Sequence, residues 1–156
     1  MSIVKSFSVG EGDMFYIRHG SDSFTIIDCC MSAADRETIV ADLKIESSDK
    51  GIVRFISTHP DDDHILGMKF LQEKMKLVNF YCVKNEAIKE NASDDFDQYC
   101  ELRKDAFYLS RNCSRRWLND SNEERGSAGI RVLWPITNNK HYVEALKEAG
   151  KGENPN

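Results

Sequence analysis

The sequence predicts an α+β fold, a mixed sheet with helices on its faces. Three observations carry this. The first 28 residues alternate apolar and polar positions between short turns, which reads as a β-meander. Short β-branched and aromatic runs then alternate with stretches of helical period, in the order β-β-β-α-β-α-β. A chain of 156 residues, 40% hydrophobic and 30% charged, is long enough for one domain with a real core.

Each element has its own signal. Ile3, Lys5, Phe7 and Val9 alternate against Val4, Ser6 and Ser8, so 3–9 is the first strand. Gly10-Glu11-Gly12-Asp13 is a tight turn into a second strand, 14–18. A polar turn follows, in which His19 is expected to be solvated, and then a third strand, 23–28. Residues 33–43 have Ile39, Val40 and Leu43 on one face of a helix, with Ser32 as its N-cap. The stretch 52–57 is a strand of the buried kind, 65–75 is apolar at helical spacing, and 77–83 is another buried strand. Phe96, Tyr99, Leu102, Ala106, Phe107 and Leu109 predict one long helix over 94–110. Residues 129–135 read as a strand stopped by Pro135, and 142–149 as a helix. The tail, 150–156, is not expected to order.

Composition narrows the function classes. A net charge of −5 offers no broad basic footprint for nucleic acid, which argues against a simple DNA-binding module. No apolar run approaches the roughly 18 residues of a membrane span, and the N-terminus lacks a signal-peptide core. Cys29, Cys30, Cys82, Cys100 and Cys113 are odd in number and have no C-x-x-C spacing. They read as reduced thiols of a cytoplasmic protein.

The chemistry is concentrated in Ser57-Thr58-His59-Pro60-Asp61-Asp62-Asp63-His64-Ile65-Leu66-Gly67, where a strand ends and a helix begins. His59, Asp61, Asp63 and His64 form H-x-D-x-D-H, four metal-binding donors within six residues. Two-metal hydrolases hold ions about 3.5–4 Å apart, so one loop can feed both. An acidic loop capping a helix is the plain alternative. If the loop is extended, alternation sends Asp61 and Asp63 to one side and Asp62 to the other. Arg115-Arg116-Trp117 could grip a phosphate, but an arginine pair at the surface beside a core tryptophan is the simpler reading.

The 57–67 run resembles the metal-binding motif of the metallo-β-lactamase fold, commonly H-x-H-x-D-H. With Asp in place of the second His, and an apolar pair and Gly following, it is similar to the hydrolase domain of ComEC-type competence proteins. Val9-Gly10-Glu11-Gly12-Asp13 and Phe24-Thr25-Ile26-Ile27-Asp28 resemble the opening of the same family. The resemblance implies a metallo-β-lactamase-like αββα sandwich spanning 1–156, incomplete at its C-terminus. It implies two divalent ions, Zn2+ or Mn2+, with His59 and Asp61 on one and Asp63 and His64 on the other. Asp63 would also orient the attacking water, and Asp28 would hydrogen-bond the metal loop from beneath. It further implies hydrolysis of a phosphodiester in nucleic acid or a nucleotide.

In that family a bridging carboxylate and a further His come from the second half. Here the late His is His141, in a polar stretch. The expectation is that the sheet face opposite the helices lies bare, and that the chain needs a second copy or a complementary C-terminal half. A non-catalytic, half-site metal-binding interaction protein is the alternative function.

Overall fold

The computed structural model describes residues 1–151. The expected tail at 150–156 therefore falls largely outside the described residues; Gly150 and Lys151 form a turn. Among the described residues, seven strands and five helices follow in sequence. The strands are β1 (Ile3–Ser6), β2 (Phe15–Arg18), β3 (Ser23–Ile27), β4 (Cys29–Cys30), β5 (Ile52–Ser57), β6 (Phe80–Cys82) and β7 (Phe107–Tyr108). The helices are α1 (Arg36–Ser47), α2 (Asp62–Ile65), α3 (Met68–Met75), α4 (Asp94–Lys104) and α5 (Lys140–Ala149). The α+β class is as expected. Six strands form one mixed sheet in the order β1-β2-β3-β5-β6-β7. β1, β2 and β3 pair antiparallel, and β3, β5, β6 and β7 pair parallel.

The pleat sorts side chains onto two faces. Tyr16, Phe24, Ile26, Phe55 and Phe80 face α1, α3 and α4, whose Leu43, Leu71 and Tyr99 complete the main core. Phe55 and Phe80 stack at 5.5 Å. Each large buried side chain here contributes about 1.5–3 kcal/mol.

The other face is not bare, which corrects the expectation. The irregular chain from Leu109 to Val132 lies across it, and Leu109 and Leu118 bury Ile56 and Tyr81. Arg54, also on this face, is almost fully buried. Its guanidinium donates to Trp117 O at 2.9 Å and Thr25 Oγ1 at 3.3 Å, tying the covering segment to the sheet. Cover thins towards β1, where Val4 is 66% exposed and Phe15 and Ile17 are half-buried.

Four local expectations also change. The helix expected over 94–110 stops at Lys104, and Phe107 and Tyr108 leave it for the sheet. The open edge of β6 offers these β-formers backbone partners, and Tyr81 stacks on Phe107 at 5.0 Å. The helix expected over 65–75 is two. Gly67, at φ +86°, breaks it, and Asp95 caps the new start by accepting from the N–H groups of Gly67 and Lys69. The stretch 129–135 is not a strand. Its partners around Asn112 and Trp117 have φ of 60° and 63°, so isolated bonds such as Ile130 N–H to Leu118 O replace a ladder. Ser32 precedes α1 by a turn, and Asp35 is the N-cap residue.

His19 is buried, not solvated. Its Nε2 lies 2.9 Å from Thr25 Oγ1, under the covering segment. Burial first, then the charge of Arg54, lowers its pKa below the usual 6.5. Below pH 6.5 the unfolded chain takes up a proton that the folded chain resists, so stability falls as pH drops through that window. In His19→Gln this part of the loss should disappear. Urea midpoints at about pH 7 and 5.5 check it, and parallel losses in both proteins would contradict it.

Candidate metal centre

The site forms where β5 delivers the chain to α2. Ser57 ends the strand, Thr58 to Asp61 are extended or irregular, and Asp62 begins a helical turn with Asp61 at the N-cap position, its side chain making no capping hydrogen bond. The loop is thus not extended through Asp63, as the alternation argument required. His59, Asp63 and His64 each offer a ligand atom, and these atoms lie within 4.8 Å of one another. His64 Nε2 is 3.5 Å from Asp63 Oδ2, and the two imidazole rings are 3.9 Å apart. Donors around one ion at about 2.1 Å sit roughly 3.4 Å apart in a tetrahedron, so the set suits a divalent ion. Nitrogen and carboxylate donors accommodate Zn2+ and Mn2+ alike.

Asp61 and Asp62 stand differently. Asp61 Oδ2 is 3.6 Å from His59 Nε2 but does not join the three-residue group. Asp62 accepts from Lys89 Nζ at 2.8 Å. Among the described residues, no second group of three such donors forms. His141 is exposed on α5 and outside the group.

Asp28 lies beneath the loop, 2% exposed, at φ 54° where β3 kinks into β4. Asp tolerates this left-handed conformation better than most residues. Oδ1 accepts from the Thr58 N–H at 2.7 Å. Oδ2 is 2.6 Å from Thr58 Oγ1 and 3.0 Å from His64 Nδ1. A carboxylate only accepts, so His64 carries its proton on Nδ1. Thr58 gives its one hydroxyl proton to Asp28, so at 2.9 Å it accepts from His59 Nδ1. In the neutral form of each ring this tautomer leaves Nε2 as the lone-pair donor, the state a metal requires.

The turn between β1 and β2 walls the site. A Cβ on Gly12 would fall 2.1 Å from the Asp63 carbonyl oxygen and 2.5 Å from Cys30 Sγ. Cys29 and Cys30 lie behind it, and burial pushes both thiols up. Both resist forming a thiolate at neutral pH, and neither belongs to the donor group.

Elsewhere, Arg116 and Arg125 flank Trp117 at 5.4 and 5.1 Å, and Arg115 donates to the Tyr108 carbonyl. Trp117 is half-buried there. The spacing of 57–67 marked the donor loop, whereas nothing in the sequence marked Thr58 as the link between Asp28 and His59.

These features define an α+β domain with a candidate three-donor centre at a strand-to-helix turn. Comparison with protein-family models, curated proteins and solved structures finds no match.

Proposed function

We propose that the protein is a metal-dependent hydrolase of the metallo-β-lactamase type, acting on phosphodiester bonds of nucleic acid or nucleotides. One observation carries the reading: Asp28 and Thr58 fix His59 and His64 with both Nε2 atoms free beside the Asp63 carboxylate. A bound divalent ion would polarise the substrate oxygen and lower the pKa of its water towards about 7. His59, Asp63 and His64 would hold it. Asp63, half exposed, also offers an oxygen that can accept a proton from the water and orient it. A second ion would draw on Asp61 beside His59 and on further donors.

The five unpaired cysteines support a reducing compartment such as the cytoplasm. No helix among the described residues is long and apolar enough to cross a membrane. Val4, Phe15 and Ile17 are the surface a second copy or a complementary segment would cover.

The test is hydrolysis of bis(p-nitrophenyl) phosphate. The rate should need added Mn2+ or Zn2+, vanish with a chelator, and return on reloading. Metal bound without turnover on this or a nucleotide substrate would instead select the half-site interaction protein, which uses the same donors.

A further inference from the structure

A cavity of about 660 Å³ opens directly from the metal loop. His59 and Asp61 belong to its lining. Ile88, Phe96, Trp134, Tyr142 and Leu146 supply much of the rest, from the chain after β6 and from α5 with its approach. Trp134 is 54% exposed, and its indole meets the Tyr142 ring edge-on at 6.4 Å. The indole therefore offers a flat apolar surface to an incoming ring. The volume is that of a small-molecule site.

The charges exclude a longer occupant. A nucleic-acid strand needs a basic groove along its phosphates. Here the lining carries Asp61, Asp62 and Glu90 against one lysine, Lys89, whose ammonium is already 2.8 Å from Asp62 Oδ1. A polyanion entering this cavity would meet net negative charge beyond the phosphate at the metal.

We infer that the site takes a small ester, its ester group at the metal loop and one aromatic group in the Trp134 cavity, and not a polynucleotide strand, which narrows the proposed substrates to nucleotides and other small aromatic esters. The placement of the ester end rests on the hydrolase reading. The aromatic preference of the cavity does not.

Calorimetric binding separates the two. The probes are bis(p-nitrophenyl) phosphate, dimethyl phosphate and a thymidine oligonucleotide, each titrated into the Mn2+-treated 156-residue chain. The aromatic ester should bind at least about tenfold more tightly than either of the others, the scale of one aromatic stacking contact. Trp134→Ala and Leu146→Asp should each erase that preference, Trp134→Phe should keep it, and metal content should stay at the wild-type level in all three. Equal binding of aromatic and methyl esters, an oligonucleotide that binds as tightly, or an undiminished preference in Leu146→Asp would overturn the inference. Absence of turnover with the aromatic preference intact would refute the hydrolase reading and leave the cavity assignment standing.

Discussion

Metal content should fall to background in the His59→Ala, His64→Ala double variant, because it removes two of the three converging donors. Asp62→Ala should keep metal affinity within a few-fold, since that carboxylate is engaged by Lys89 and lies outside the group. Asp28→Ala is the more informative change. It touches no ion, yet it removes the acceptor that sets the His64 tautomer and, through Thr58, that of His59. Loss of such a supporting carboxylate lowers metal affinity by about 10–100-fold. It also removes the hydrogen bond from the Thr58 N–H, at about 0.5–1.5 kcal/mol of stability. Elemental analysis and competition with a chromogenic chelator on the folded variants provide the measurement. Equal metal in wild type and double variant would remove the site altogether. A larger loss at Asp62 than at Asp28 would reverse the roles assigned to them.

Gly12→Ala should be the most damaging single-methyl change at the site. The new Cβ would fall 2.1 Å from the Asp63 carbonyl and 2.7 Å from Cys30 Cβ, so backbone must move. Overpacking of this kind costs about 1–3 kcal/mol or more. The group displaced belongs to the donor loop, so metal affinity should fall with stability. Gly10→Ala is the contrast within the same turn. Gly10 has open space around it but sits at φ +87°, so alanine there meets backbone strain of about 1–2 kcal/mol and no clash with the loop. Its metal affinity should match wild type. Urea melts with metal titrations on both variants give the comparison, and unchanged metal binding in Gly12→Ala would show that the turn does not support the loop.

How much was legible depended on the range of the interaction. The β1–β2–β3 meander was readable because alternation and tight turns are set by neighbouring residues. The 94–110 stretch misled for the complementary reason. Phe107 keeps helical period with Tyr99 and Ala106, but β6 presents an open edge, and pairing with Tyr81 outweighs period. His19 looked solvated because its neighbours are polar; it is buried by the 109–132 segment, which no local pattern announces. The same segment covers the sheet face expected to lie bare.

By itself the sequence determined an α+β domain of hairpins followed by alternating helices and strands, and a cluster of histidines and aspartates where β5 meets α2. Period, turn chemistry and donor type are local, and local sterics suffice to express them. Only the tertiary structure decided which donors meet. It put Asp28 under a loop some thirty residues further on, separated Asp62 from Asp63, set Gly12 against the loop's backbone, and brought Trp134 and α5 into one cavity with His59. Those outcomes depend on parallel pairing of β3 with β5 and on packing between distant segments, where a side chain's surroundings are set by residues far from it in sequence.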